Sequence, residues 1–303
     1  MSAQTPSGFA GQRVLVVGAG FMGAGIAQVC AARGLRVNLY DVDQPALDRA
    51  RAGVAASLQK LDAKGLLPEP PQSVQARISF GLDLTPAAKA DWIIEAALEN
   101  LDLKLKLFAE LDRLARPETV LASNTSSIPI SQLAAATQHP ERVLGLHFFG
   151  PVPLMGLVEV VKGQATAPEI FARSVELVRF LGKTPVKVAR DIPGFVMNRV
   201  FSAAFREAVE LVADGVVSPE DLDAGMRLGY GWAAGPFEIA DNAGLDTCVL
   251  INRFLASMGE EHLATRSDLV ERLVAQGRVG RKAGQGFYRY SPDGKRQPWR
   301  EEN

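Results

Sequence analysis

The chain has 303 residues, of which 47% are hydrophobic and 22% are charged, and its formal net charge is -1. This length allows two domains that each bury a core, and the balanced charge gives no basic excess for binding nucleic acid. Its two cysteines, Cys30 and Cys248, lie in apolar helical patterns. This argues against a disulfide or metal framework and indicates buried thiols in a reducing compartment.

The start of the chain predicts neither a secretory nor a membrane segment. Residues Met1–Arg13 are polar and lack the basic and apolar regions of a signal peptide, so we expect a short disordered leader. The most apolar run, Val14–Ala27, is too short to span a bilayer and is interrupted by four glycines. We therefore expect a cytoplasmic protein with no membrane partner.

Short β-branched runs alternate with helical patterns up to about residue 190. The predicted strands are Val14–Val17, Val37–Tyr40, Ile78–Phe80, Trp92–Glu95, Val120–Ala122, Val143–Phe148, Val158–Val161 and Pro185–Val188. The predicted helices are Met22–Arg33, Pro45–Lys64, Leu103–Leu114 and Pro168–Leu181. Such alternation is typical of a doubly wound, Rossmann-type parallel sheet of the α/β class. The second helix is unusually long for a crossover.

The character of the sequence changes after Arg190. From there, helical patterns predict an all-α C-terminal domain, so we place two domains at residues 1–190 and 191–303. The predicted helices of the second domain are Pro193–Ala213, Pro219–Leu228, Phe237–Met258 and Asp268–Gln276.

A glycine-rich segment joins the first strand to the first helix. Gly18, Gly20 and Gly23 form a G-x-G-x-x-G pattern, and the next strand ends in Asp41, 18 residues after Gly23. These spacings match a dinucleotide-binding fingerprint. In it, Gly18 would allow a tight turn, Gly20 would let backbone N–H groups approach a pyrophosphate, and Gly23 would allow close packing of the helix. Asp41 would supply a carboxylate for the adenosine ribose. The carboxylate favours NAD over NADP. The alternative is a strand–turn–helix whose glycines serve packing alone.

His147 and Glu159 are the strongest catalytic candidates. His147 lies near the end of a predicted strand, and Glu159 is flanked by Val158 and Val160 in the next one. A buried carboxylate needs a partner, and one that holds an imidazole nitrogen would make the histidine a general base for alcohol oxidation. The alternative is a core histidine bonded to backbone and a glutamate on an exposed edge. His139 and His262 lie in polar segments and are predicted to be solvated.

Two further polar sites remain open on the residues alone. The stretch S-N-T-S-S-I-P, residues 123–129, could supply hydroxyl groups to a substrate oxygen or could cap the following helix. Asn198, in P-G-F-V-M-N-R, could be a substrate donor or a polar residue on a helix surface.

Taken together, the motifs resemble those of the L-3-hydroxyacyl-CoA dehydrogenase family over nearly the whole chain. The matching segments are G-A-G-F-M-G-A-G-I-A, E-A-A-L-E-N, A-S-N-T-S-S, G-L-H-F-F, L-V-E-V-V, P-G-F-V-M-N-R, G-P-F-E and G-R-K-A-G-Q-G-F-Y. The resemblance implies NAD-dependent oxidation of the 3-hydroxy group of an acyl-CoA in fatty acid metabolism. It also implies an NAD-binding first domain and a homodimer joined through the helical domain.

The resemblance also implies site residues. His147 would be the base, Glu159 its orienting carboxylate, and Ser126 and Asn198 partners of the substrate oxygen. Ser57 and Lys64, on the long second helix, would contact the CoA moiety. The implied cofactor contacts are Gly18, Gly20, Phe21, Met22, Gly23, Asp41, Glu99, Lys104 and Lys282.

The sequence departs from the family pattern beside the histidine. It reads H-F-F-G-P where H-F-F-N-P is usual, which places Gly150 at the asparagine position, and Gly156 stands where a lysine is common. Gly150 either removes a useful contact, in which case restoring asparagine should raise activity, or it makes room for a substrate or serves a positive φ. The otherwise matching site favours the first interpretation.

Two other functions remain possible on the sequence. One is a related NAD-dependent dehydrogenase for a small free hydroxy acid, such as a gulonate- or carnitine-type enzyme. The other is a non-catalytic NAD-binding protein that has kept only the fold. Ser57 and Lys64 favour the CoA substrate, and retention of both His147 and Glu159 favours catalysis.

Overall fold

The structure, a computed structural model, describes residues 8–297. The chain divides into two compact units, one up to Ile192 and the other from Pro193. Among the described residues, no helix combines the length and apolarity needed to cross a bilayer.

Eight strands of the first unit form one sheet in the order β3-β2-β1-β4-β5-β6-β7-β8. Neighbouring strands are parallel except β6 and β7, which are antiparallel. The strands are β1 Arg13–Val17, β2 Arg36–Tyr40, β3 Ile78–Gly81, β4 Trp92–Glu95, β5 Val120–Ser123, β6 Val143–Phe148, β7 Leu157–Val161 and β8 Thr184–Val188. The predicted doubly wound α/β fold is confirmed. Only the antiparallel β6–β7 pair departs from an all-parallel sheet.

In the described part of this unit, six α-helices and two short 3₁₀ helices, Thr85–Lys89 and Pro140–Arg142, accompany the sheet. The α-helices are α1 Phe21–Ala32, α2 Gln44–Asp62, α3 Pro71–Gln75, α4 Leu101–Leu114, α5 Ile130–Ala134 and α6 Pro168–Phe180. Local sequence explains two of the starts: the Asp43 side chain accepts a hydrogen bond from Ala46 N at 3.1 Å, and Asn100 does so from Leu103 N at 2.9 Å. The short helices α3 and α5 were not predicted, because five residues are too few to show a helical period.

The segment before β1 belongs partly to the core. Residues 1–7 of the predicted leader lie outside the described part, but the expectation of disorder is wrong for residues 8–13. Phe9 is buried, with its ring 6.1 Å from that of Trp92 and 5.5 Å from that of Phe180. A single aromatic residue in a polar segment gave no periodic signal of this packing.

The second unit is built mainly from five helices. They are α7 Met197–Ala213, α8 Pro219–Tyr230, α9 Pro236–Ala243, α10 Leu245–Ser257 and α11 Leu269–Ala275, and two short strands, β9 Arg289–Tyr290 and β10 Arg296–Gln297, pair beside them. Phe205, Phe237 and Phe287 lie at the centre of its core. The helical C-terminal unit is confirmed, with this small ribbon as an addition.

Two helix predictions in the second unit are wrong, and backbone conformation explains both. The pattern predicted as one helix, Phe237–Met258, is two helices that meet at Gly244, where φ is +98°. The helix predicted from Pro193 starts only at Met197, because Gly194 and Phe195 have φ values of +75° and +48°. Positive φ is incompatible with a right-handed helix.

Candidate active site

The glycine turn, residues 18–23, lies where the strand order reverses between β1 and β4. Gly18 has a φ of +105°, and a Cβ there would be 2.6 Å from the oxygen of Ala96. A Cβ on Gly23 would be 1.8 Å from the oxygen of Gly18, whereas one on Gly20 would meet no atom within 4 Å. Gly18 and Gly23 are thus required by the packing of the chain. Gly20 faces open space, which leaves room for a ligand.

Asp41 joins the end of β2 to this turn. Its Oδ2 accepts a hydrogen bond from Ala19 N at 2.7 Å, and its Oδ1 accepts one from Asp43 N at 3.1 Å. The first turn of α1 has neither an acidic residue nor a side-chain cap. A helix N-terminus of this kind, beside a carboxylate, suits the pyrophosphate and ribose of a dinucleotide.

His147 and Glu159 face each other across the antiparallel pair β6–β7. The Nδ1 atom of His147 lies 2.7 Å from Oε2 of Glu159, and their side chains are 8% and 0% exposed. The ring of Phe149 lies 4.4 Å from the imidazole, measured between centroids. The structure therefore brings together the two residues that the sequence paired.

Glu95, at the end of β4, is a buried residue that the sequence analysis did not single out. Its carboxylate lies 2.6 Å from Nζ of Lys104 and accepts hydrogen bonds from Ser123 Oγ at 2.6 Å and Ala97 N at 2.7 Å. The side chains of Lys104 and Glu95 are 1% and 0% exposed. Lys104, a predicted cofactor contact, is thus an internal partner of Glu95. The apolar run W-I-I before Glu95 was the available signal, since a glutamate ending a buried strand needs a cation.

Glu99 connects this buried pair to the polar loop, residues 123–127. Its carboxylate lies 3.3 Å from Nζ of Lys104 and accepts hydrogen bonds from Thr125 Oγ1 at 2.5 Å, Ser126 N at 3.2 Å and Ser127 Oγ at 2.7 Å. Burial acts to raise the pKa of Glu99, but Lys104 and the two hydroxyl donors outweigh it and lower the pKa. An ionised Glu99 therefore holds the polar loop in place.

Asn124 fastens the polar loop to the histidine strand. Its Oδ1 accepts a hydrogen bond from Phe148 N at 2.9 Å, one residue beyond His147. The loop that contains Ser126 therefore lies beside the end of β6. Asn124 lies in the S-N-T-S-S motif, but its contact could not be read from the sequence, because it depends on the register of β5 against β6.

A cavity of about 660 Å³, the α1–α2 groove, is bounded by α1, α2 and residues 151–154. Gly20 and Phe21 line it near the glycine turn, and Ser57 and Lys64 line it along the second helix. Both predicted CoA contacts thus share one cavity. Lys64 lies two residues beyond the end of α2 at Asp62 rather than on the helix.

Gly150 and Gly156 differ in their surroundings. Neither glycine has a positive φ, and a Cβ on Gly156 would meet no atom within 4 Å. A Cβ on Gly150 would be 2.7 Å from the ring of Phe21, a side chain that is 70% exposed. The positive-φ explanation for Gly150 is therefore wrong. An asparagine at this position would have to displace the ring of Phe21.

Two predicted site residues belong to the second unit. Asn198 lies in the first turn of α7. The Nζ atom of Lys282 lies 2.6 Å from Oδ2 of Asp246, with the two side chains 54% and 40% exposed. The sequence gave no sign of Asp246 as a partner.

The arrangement within the first unit suits oxidation or reduction at an alcohol carbon. A carboxylate-bound imidazole can exchange a proton, and the glycine turn at a helix N-terminus can hold a dinucleotide. The groove beside it can hold a larger substrate.

Comparison with known families agrees with this chemistry. The model for the 3-hydroxyacyl-CoA dehydrogenase NAD binding domain matches residues 13–192. The model for the 3-hydroxyacyl-CoA dehydrogenase C-terminal domain matches residues 194–290.

Individual relatives cover almost the whole chain. A Deinococcus radiodurans protein named probable 3-hydroxybutyryl-CoA dehydrogenase is 44% identical over 276 residues, covering 91% of this chain and 99% of its own. The crystal structure of M. tuberculosis FadB2 superposes with a TM-score of 0.88 at 39% identity, covering 93% of this chain and 100% of the other. The crystal structure of Ralstonia eutropha (S)-3-hydroxybutyryl-CoA dehydrogenase superposes with a TM-score of 0.86 at 40% identity, covering 93% of this chain and 100% of the other.

Proposed function

The chain belongs to the 3-hydroxyacyl-CoA dehydrogenase family, and on this basis we propose that it oxidises the 3-hydroxy group of L-3-hydroxyacyl-CoA to a 3-ketoacyl-CoA, reversibly and with NAD. The metabolic setting is the breakdown of fatty acids and acyl-CoA. The observation that carries the proposal is the buried His147–Glu159 pair, 2.7 Å apart, at the carboxyl end of β6.

We assign the general base to His147. The bond from Nδ1 to Glu159 fixes the orientation and the tautomer of the ring, which leaves the Nε2 atom to take the hydroxyl proton of the substrate. NAD, when bound, supplies the acceptor for the hydride that leaves the carbon bearing the hydroxyl group. Following the family resemblance, Ser126 and Asn198 are assigned as partners of the substrate oxygen.

The glycine turn is proposed to hold NAD. Gly20 lets the backbone approach the pyrophosphate, while Gly18 and Gly23 allow the tight turn and the close packing of the helix. Asp41 accepts from the adenosine ribose, and Phe21 and Met22 lie between Gly20 and Gly23. The open space at Gly20 supports this assignment. Glu99, Lys104 and Lys282 remain proposed cofactor contacts. For Lys104, its burial against Glu95 favours an indirect role through Glu99.

The α1–α2 groove is proposed to hold the CoA moiety. Ser57 and Lys64 line it, and Lys64 offers a cation for phosphate. A free hydroxy acid would leave most of a 660 Å³ cavity unfilled. This favours an acyl-CoA over the gulonate- or carnitine-type substrates.

We further propose a cytoplasmic homodimer joined through the helical unit. Large apolar side chains are exposed on α8 and α10, with Leu228 at 88% and Leu250 at 65%. Contiguous exposed apolar surface is typical of protein interfaces, and we propose that these two side chains belong to such a surface. Cys30 and Cys248 are buried free thiols, which suits a reducing compartment. Light scattering should give twice the mass of the chain, and Leu228→Asp should shift the protein towards monomer.

A substrate panel tests the proposed activity. NADH oxidation is followed with acetoacetyl-CoA, longer 3-ketoacyl-CoAs and free keto acids. We expect turnover with the CoA thioesters and little with the free acids. Preference for a free acid would identify the alternative dehydrogenase, and NADH binding without turnover of any substrate would identify a non-catalytic protein.

A further inference from the structure

Gln28 is a buried polar residue to which the proposed mechanism gives no role. It lies on α1, is 3% exposed, and lines both the α1–α2 groove and a neighbouring cavity of about 440 Å³. Within residues 8–297, its side-chain amide makes no hydrogen bond to the protein. It is therefore an amide held inside the molecule beside open space, without an internal partner.

The amide of Gln28 faces open space rather than the closed interior. Among the described residues, three buried side-chain atoms lack a hydrogen-bond partner, and they are Arg116 Nε, Arg206 Nε and Asp246 Oδ1. Neither amide atom of Gln28 is one of them, which agrees with its place in the lining of the groove. Because most amides inside proteins are hydrogen-bonded, an amide that faces a cavity is placed to bind a molecule there.

The groove places Gln28 among groups of different chemistry. Arg49, Lys60 and Lys64 line it, and no carboxylate does so among the described residues. The cations match phosphate groups, whereas an amide matches another amide, because it has both N–H donors and a C=O acceptor. Gln28 lies eight residues after Gly20, about 12 Å along the helix. Gln28 thus lies at some distance from the glycine turn, where it can contact the middle part of a long substrate.

We propose that Gln28 determines specificity by hydrogen-bonding to the amide groups of the pantetheine arm of the acyl-CoA. The inference rests on the proposed acyl-CoA function and extends it to the part of the substrate between the thioester and the phosphates. The loop at residues 151–154 closes this part of the groove, since a Cβ on Gly25, one turn before Gln28, would be 2.9 Å from Cβ of Val152. The arm lies between this loop and α2, with its amides against Gln28.

The test replaces the amide with a side chain of similar size. Gln28→Met is compared with wild type on acetoacetyl-CoA, on acetoacetyl-pantetheine, which has both amides but no nucleotide, and on an acetoacetyl ethyl thioester, which has no amide. Loss of one neutral hydrogen bond should raise KM roughly threefold to tenfold for the first two substrates alike. The kcat values, the KM for NADH and the kcat/KM for the ethyl thioester should stay unchanged.

Stability provides an independent readout. Because the amide is unbonded in the protein, the Tm of Gln28→Met should equal or exceed that of wild type, whereas loss of a structural residue would lower it. Gln72→Leu, a change at an exposed glutamine of α3, serves as the matched control and should alter neither KM nor Tm. Gln28→Ala repeats the kinetic test if the methionine variant does not fold.

Three results would overturn the proposal. Equal losses on all three substrates would indicate a structural role, a loss confined to acetoacetyl-CoA would place Gln28 at the nucleotide, and no loss at all would remove it from the site. Calorimetry with acetyl-CoA in the absence of NADH separates this inference from the proposed function. If wild type binds acetyl-CoA but does not turn over acetoacetyl-CoA with NADH, the proposed activity fails, while weaker binding of acetyl-CoA by Gln28→Met still supports the contact.

Discussion

Buried charges lie at both ends of the parallel sheet, and the two groups differ in what they bind. At the amino end, Arg142, 2% exposed, lies 2.6 Å from Asp112 and donates to the carbonyl oxygens of Asp112 and Arg116. At the carboxyl end, the buried Glu159 pairs with His147 and the buried Glu95 accepts a hydrogen bond from Ser123. The more exposed Glu99 and Asp41 hold the polar loop and the glycine turn at the same end. The group at the amino end joins one helix to the start of a strand, whereas the group at the carboxyl end positions the residues of the candidate site.

This difference shows that burial and charge do not by themselves identify an active site. The Asp112–Arg142 pair is as buried as the His147–Glu159 pair. The carboxyl end also carries Gly20, at the N-terminus of α1 with open space beside it, and His147 within the last residues of β6. Changes at the two ends should therefore separate activity from stability.

The largest effect is expected at the histidine pair. His147→Ala should lower kcat roughly 10²–10⁴-fold, because it removes the proposed general base. Glu159→Gln should cost less, and adding it to His147→Ala should cost little more. The measurements are kcat, which should fall, and the Kd for NADH, which should hardly change. A double variant that loses the product of the two single effects would contradict the paired role.

The amino end should show the opposite behaviour. Asp112→Ala leaves the buried guanidinium of Arg142 without its carboxylate, which should cost roughly 3–5 kcal/mol in the free energy of unfolding. At temperatures where the variant stays folded, kcat/KM should match wild type. Urea unfolding measures the stability, and Glu110→Gln, an exposed change on the same helix, is the control. A large loss of kcat in the folded variant would mean that the two ends are coupled.

The same pair predicts a pH dependence of stability. Burial acts to raise the pKa of Asp112, but hydrogen bonds from Arg142 and from Gln138 N outweigh it and lower the pKa. A carboxyl group with a lowered pKa stabilises the folded state above its unfolded pKa of about 3.9 and loses that effect as the pH falls through its folded pKa. The difference in the free energy of unfolding between wild type and Asp112→Ala should therefore become smaller as the pH falls. Urea unfolding at a series of pH values measures it.

A smaller effect is expected for Asp41, whose role is confined to the cofactor. Asp41→Ala removes the acceptor for the ribose and for Ala19 N. The KM for NAD should rise roughly tenfold to a hundredfold, as for loss of a charge-assisted hydrogen bond, and the preference over NADP should narrow. Asp48→Ala, at an exposed position on α2, should leave both cofactor constants unchanged. Equal efficiency of wild type with NAD and NADP would refute this role.

The smallest effect concerns Gly150. The ring of Phe21 that a side chain there would meet is 70% exposed and can turn away, so Gly150→Asn should be accommodated and should raise kcat/KM by up to about tenfold by restoring an amide contact. A fall in kcat/KM for Gly150→Asn that Phe21→Ala relieves in the double variant would show instead that the glycine makes room for the ring.

How far the sequence predicts this site depends on whether a contact is local in the chain. The eight strands and the His147–Glu159 contact followed from apolar runs and from one buried carboxylate beside one histidine. The links from Glu95 to Ser123 and from Asn124 to Phe148 join different strands, and no spacing rule gives them. The break at Gly244 was missed because one glycine in an apolar helical pattern does not show its φ.

The hairpin of β6 and β7 also has a consequence for folding kinetics. Every other strand pairing in the sheet is parallel and needs a long crossover, whereas this one closes over residues 149–156. Closing a short loop costs less entropy, and contacts that are close in sequence form sooner. His147 and Glu159 can therefore meet while the chain on either side of them is still unfolded. The glycine turn and Asp41 must wait for β1 and β2 to pair across a complete helix.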